Sequence, residues 1–86
     1  MNSVSHYESA LKVAMALHDD AAAGKLVRTL QTKLANARAK LGESLMAQKE
    51  LEDYTFLLQQ LEISYHKETG KTFPAEWREP LGPGER

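Results

Sequence analysis

Apolar residues recur at helical spacing in three successive stretches of the chain. In the first stretch Tyr7, Leu11, Ala14 and Met15 fall on one stripe, with His18 next on it. In the second, the apolar positions are Val27, Leu30, Leu34, Ala37 and Leu41. In the third, they are Ala47, Leu51, Tyr54, Leu58, Leu61 and Tyr65. Steps that alternate between three and four residues are the a/d pattern of helices packed side by side, so the pattern predicts an all-α fold.

Residues that favour helix ends predict where these three helices begin and end. Ser5 and Glu8 have the spacing of a capping box, which predicts a helix start near residue 5. Acidic residues are favourable at a helix N-terminus, so Asp19-Asp20 favours the start of a second helix there. A single helix from about residue 6 to residue 41 stays possible, because no Gly or Pro forces a stop between them. The predicted helices cover about residues 5–18, 20–41 and 44–69.

The second and third a/d rows do not share one register. Continuing the second row along the same helix would place polar residues on the stripe, at Ser44, Gln48, Thr55 and Glu62. A break is therefore expected at Gly42, which can adopt a left-handed conformation, while Ser44 can cap the next helix. Folding the chain at Gly42 pairs apolar with apolar positions. The predicted fold is an antiparallel, coiled-coil-like helical hairpin with a preceding N-terminal helix and an irregular C-terminal tail.

Charge is divided between the two arms of this predicted hairpin. The basic residues of the second helix are Lys25, Arg28, Lys33, Arg38 and Lys40, whereas the third helix is rich in acids. We expect Lys33 to lie near Glu52 and Asp53, which favours pairing of the two arms. The alternative function for the basic helix, residues 25–40, is nucleic-acid binding. No aromatic residue is interleaved for base stacking and the net charge is −1, so nucleic acid is not the expected partner.

The stretch from 70 to 86, called the tail here, contains Gly70, Pro74, Pro80, Gly82, Pro83 and Gly84. Its composition predicts little regular structure beyond a short helical turn at about 74–79. Phe73 and Trp77, four residues apart, would share one side of that turn. Either the two rings fold back and seal the open end of the hairpin near Tyr65, or they anchor a partner together with Arg78.

A second apolar stripe on the third helix lies away from its a/d row. Leu45, Phe56 and Ile63, called the outer stripe here, fall within about 20° of one another at 100° per residue. A two-helix hairpin leaves this stripe in water, so either the first helix or another chain should cover it. The candidate partner-binding residues are Leu45, Phe56, Ile63, Phe73, Trp77 and Arg78.

Candidate chemistry in the 86 residues is sparse. There is no Cys, which excludes disulfides and a thiol nucleophile, and the three histidines lack the spacing of a helical metal pair. We therefore expect no enzyme activity, no catalytic or metal-binding residues, no cofactor and no small-molecule substrate. No secretory signal or membrane-spanning run is evident, so the expected location is the cytoplasm.

The expected function is that of a non-catalytic protein-protein interaction module, a small adaptor, chaperone or inhibitor. It would present a helical apolar face to a protein partner and would form homo-oligomers, since a single small core supplies little stability. A short helix followed by a charged hairpin is similar in size and architecture to small co-chaperones of secretion systems and to small accessory proteins of phages. No motif residues carry this similarity, so it assigns no site.

Overall fold

A computed structural model describes residues 3–43 and 45–81, with side chains from His6 onward. These residues form three α helices, α1 (Ser3–Ala16), α2 (Asp20–Ala39) and α3 (Leu45–Thr69), followed by a short 3₁₀ helix (Ala75–Arg78). The described part of the chain is all-helical, which confirms the predicted class. Since α1 begins at Ser3, Ser5 lies inside the helix rather than at its cap, and its side chain falls outside the described residues.

The boundary between α1 and α2 is sharp although no Gly or Pro lies there. His18 has a φ of 55°, in the left-handed region. Its backbone N–H donates to the Met15 carbonyl, and the Asp19 N–H donates to the Ala14 carbonyl at 2.9 Å. These two bonds form a Schellman motif, which ends a helix and turns the chain away. Asp19 then caps α2, because its side chain accepts from the Ala22 N–H.

The connection between α2 and α3 differs in detail from the prediction. α2 ends at Ala39, and residues 40–43 form a turn in which the Glu43 N–H donates to the Lys40 carbonyl. Gly42 does not adopt a positive φ. Among the described residues, His18 and Gly70 have that conformation, and Gly70 lies directly after α3. The predicted cap at Ser44 lies outside the described residues.

The core forms where all three helices and the tail meet. Its least exposed large side chains are Leu11, Val27, Leu30 and Leu61. α2 and α3 share the most extensive contact, and α1 packs against both of them. Leu57, outside the predicted a/d row, is 3% exposed, whereas Leu34 is partly buried and Leu41 is 43% exposed. The core is therefore rotated toward Leu57 relative to the predicted two-helix seam.

No helix within residues 3–43 and 45–81 combines the length and the apolar character needed to cross a bilayer.

Candidate functional site

The tail folds back onto the helices through an aromatic cluster of Tyr65, Phe73 and Trp77. The ring centroids of Tyr65 and Trp77 are 5.2 Å apart in an edge-to-face arrangement, and those of Tyr65 and Phe73 are 5.4 Å apart. Such geometry adds to the favourable burial of the rings. Phe73 and Trp77 are each 5% exposed. The fold-back interpretation thus describes the structure, and these two candidate residues have almost no exposed area with which to contact a partner.

Gly24 provides the space into which Trp77 packs. A Cβ atom built on Gly24 would lie 2.6 Å from Nε1 of Trp77 and 2.9 Å from its Cε2. Any side chain at position 24 would therefore displace the indole ring. A Gly in a helix interior costs stability relative to Ala, so Gly24 is the signal in the sequence for a close approach to this helix.

Hydrogen bonds tie the end of the described tail to α2. The Arg28 guanidinium donates to the carbonyls of Glu79 and Pro80, and the Leu81 N–H donates to Oγ1 of Thr32 at 2.8 Å. Arg28 thus stabilises the fold by holding the tail. The other cations of the basic helix, Lys25, Lys33, Arg38 and Lys40, are exposed.

Arg78, the remaining candidate in the tail, forms an ion pair with Glu62 on α3. The guanidinium Nη2 donates to a carboxylate oxygen of Glu62. This bond links the 3₁₀ helix to α3 and occupies one side of the guanidinium. Like Phe73 and Trp77, Arg78 makes contacts within its own chain.

The outer stripe is exposed. Leu45 is 88% exposed, Phe56 53% and Ile63 59%. All three lie on α3, opposite the side that carries Leu58, Leu61 and Tyr65 into the core. Exposed large apolar side chains that share one helix face are typical of interaction surfaces.

The first helix does not cover this stripe. Leu45, Phe56 and Ile63 each keep more than half of their surface exposed although α1 packs against α3. Of the two interpretations that the sequence left open, burial of the stripe under α1 is therefore not realised. Leu57, which the sequence pattern left off the core side, is 3% exposed and belongs to the core cluster that also contains Leu11 and Ala14 of α1.

A shallow, mostly apolar groove adjoins the C-terminal end of the outer stripe. Its lining residues are Gln59, Glu62, Ile63, His66, Lys67 and Thr72. It lies on the same solvent-facing side of α3 as Phe56. The outer stripe thus combines a protruding aromatic side chain, Phe56, with a depression beside Ile63 two helical turns further along.

Charged residues at both ends of this face have no partner within the described residues. Glu52 and Lys67 are exposed, lie close to the line of the stripe, and form no ion pair with any described side chain. The expected pairing of Lys33 with Glu52 and Asp53 is likewise not formed as a salt bridge between described atoms.

Exposed apolar side chains also occur outside the outer stripe. They are Val13 and Leu17 at the end of α1, Leu41 in the turn after α2, and Met46 at the start of α3. Val13 is 59% exposed, as is Ile63, which makes it a matched reference for a position outside the outer stripe.

Comparisons with protein-family models, with curated proteins and with solved structures found no match.

Proposed function

We propose that this protein is a non-catalytic protein-protein interaction module, a small adaptor, chaperone or inhibitor, and that it binds through the outer stripe of α3. The observation that carries the proposal is the exposure of Leu45, Phe56 and Ile63 on a helix whose opposite side is the core. The stripe extends about 27 Å along the helix axis, long enough to contact a partner helix or groove. Self-association through the same face is part of the proposal.

The proposal includes an antiparallel, coiled-coil-like hairpin of α2 and α3 as the scaffold that holds the stripe outward. Two observations support it. A small surface pocket is lined by Gln31 and Leu34 of α2 together with Thr55 and Leu58 of α3, as expected for helices running side by side. The longest dimension of the chain is 40 Å, whereas one helix from Lys25 to Glu68 would measure about 65 Å.

Replacing Phe56 by Glu tests the proposed surface. Phe56 is 53% exposed and lies outside the core, so the variant is expected to keep its helical content. A carboxylate placed in an apolar contact is costly to desolvate, so association or partner binding should fall at least tenfold. Circular dichroism and light scattering on the same sample measure the two properties together.

Val13→Glu is the matched control, because it puts the same charge at an exposed apolar position on α1. The proposal expects this variant to be folded and to associate as the parent does. Unfolding of Phe56→Glu would mean that Phe56 supports the fold. A folded Phe56→Glu protein with unchanged mass and unchanged partner binding would contradict the proposed surface.

A further inference from the structure

On the outer face of α3, residues at equal distances on either side of one midpoint form matching pairs, either two apolar residues or an acid and a base. Phe56 and Ile63 lie equally far from the midpoint between Gln59 and Gln60, and so do Glu52 and Lys67. At 100° per residue all of these positions fall on the solvent-facing half of the helix. A two-fold axis through the midpoint would bring each residue opposite its complement in a second copy of the chain.

From this arrangement, and resting on the proposed function, we propose that a second copy of this chain covers the Phe56 and Ile63 part of the outer stripe. The two α3 helices pack antiparallel about an axis between Gln59 and Gln60. Phe56 of each copy then lies against Ile63 of the other, in the groove lined by Gln59, His66 and Lys67. The dimer therefore contains two equivalent contacts between Phe56 and Ile63.

Charge complementarity selects this register and direction. Glu52 of one copy faces Lys67 of the other, and the pair occurs twice. Neither residue forms an ion pair among the described residues of its own chain, so both are available for the contact. Lys49 falls beside the last turn of the second copy's α3, where the helix dipole favours a cation. A parallel arrangement would instead place Glu52 against Glu52 and Lys67 against Lys67, which is repulsive.

The size of the contact predicts a weak dimer. The paired segment from Lys49 to Gly70 is about 32 Å long and one helix wide. Such a contact is smaller than a standard interface, which buries about 800 Å² per partner. We expect a dissociation constant in the micromolar range, so the monomer and the dimer should both be populated at ordinary working concentrations.

Charge reversal at these two positions tests the register. Glu52→Lys and Lys67→Glu each create two repulsive contacts in a homodimer, so each should weaken dimerisation roughly tenfold at low salt. The double variant restores attraction and should recover parental affinity within about twofold. An equimolar mixture of the two single variants should form a heterodimer, because both of its contacts pair a Lys with a Glu. Sedimentation velocity over a concentration series measures each constant.

Glu50→Lys is the matched control on the same helix. It makes the same change in charge at an exposed position that points away from the outer stripe, and it should leave dimerisation unchanged at moderate salt. If the single reversals dimerise like the parent, or the double variant fails to recover, the antiparallel register is overturned. A parent protein that stays monomeric at every concentration overturns self-pairing. If that monomer still binds a different protein in a Phe56-dependent way, the proposed interaction function survives, and only its self-association falls with this inference.

Discussion

Trp77 and Gly24 form the contact on which the position of the tail depends most directly. The indole ring lies against the bare backbone of α2 at Gly24, and it also packs against Tyr65 and Phe73. Because the ring is held on several sides, it cannot move away without loss of packing. The absence of a side chain at Gly24 thus provides the space in which Trp77, more than fifty positions later in the chain, is buried.

Two glycine substitutions should therefore have opposite effects. Gly24→Ala improves helix propensity by about 1 kcal/mol, but its Cβ collides with the indole, so we expect a net loss of about 1–2 kcal/mol in the free energy of unfolding. Gly42→Ala has no heavy atom within 4 Å of the added Cβ and no positive φ to strain. It should raise the free energy of unfolding by about 0.4–1 kcal/mol. Urea denaturation of both variants measures the difference, and two effects of the same sign would refute this explanation.

The end of α1 depends on a residue that is poorly suited to its backbone conformation. His18 is exposed and adopts a left-handed φ, which costs an L-residue about 1–2 kcal/mol. His18→Gly should therefore stabilise the protein by about 1 kcal/mol, whereas the β-branched variant His18→Val should destabilise it. Thermal denaturation checks the order of stability, Gly above His above Val. A parent protein more stable than both variants would mean that the imidazole makes a contact important for the fold.

The tail can be tested as an element by two truncations. Removing residues 72–86 deletes Phe73 and Trp77, and the loss of two buried aromatic side chains should cost more than 3 kcal/mol. Removing residues 80–86 keeps both rings and the Glu79 carbonyl but deletes the Pro80 carbonyl and the Leu81 N–H, which bond Arg28 and Thr32, so about 1–2 kcal/mol should be lost. Equal melting temperatures for the parent and both truncated chains would show that the fold-back contacts contribute nothing.

At the scale of the whole molecule, the sequence predicted the helical class and the three helices because apolar spacing and capping residues act locally. Residues whose role depends on tertiary position were predicted less well. Leu57 is buried in the core that the three helices share, and the pattern of α3 alone does not specify how the other helices are placed around it. Arg28 belongs to the basic helix, yet its guanidinium donates to backbone carbonyls some fifty residues away.

The same difference between local pattern and tertiary position separates the residues of the candidate site. For Phe73 and Trp77, sequence patterns gave two interpretations, and the space at Gly24 accounts for the buried one. The outer stripe was identified from helical periodicity alone, because a residue opposite the core is exposed unless another element covers it. Periodicity describes one chain, so it identifies the exposed face of α3 but no partner for that face.

The central claim is that the outer stripe of α3 associates with protein, and in the first instance with a second copy. Small-angle scattering over a concentration series tests it most directly, because forward scattering reports mass while the profile reports shape. Phe56→Glu should scatter at every concentration as a single chain with dimensions near 40 × 30 × 21 Å. The parent should match it when dilute and approach twice that mass when concentrated. A parent of constant single-chain mass, or a Phe56→Glu variant that doubles in mass alongside it, would contradict the account.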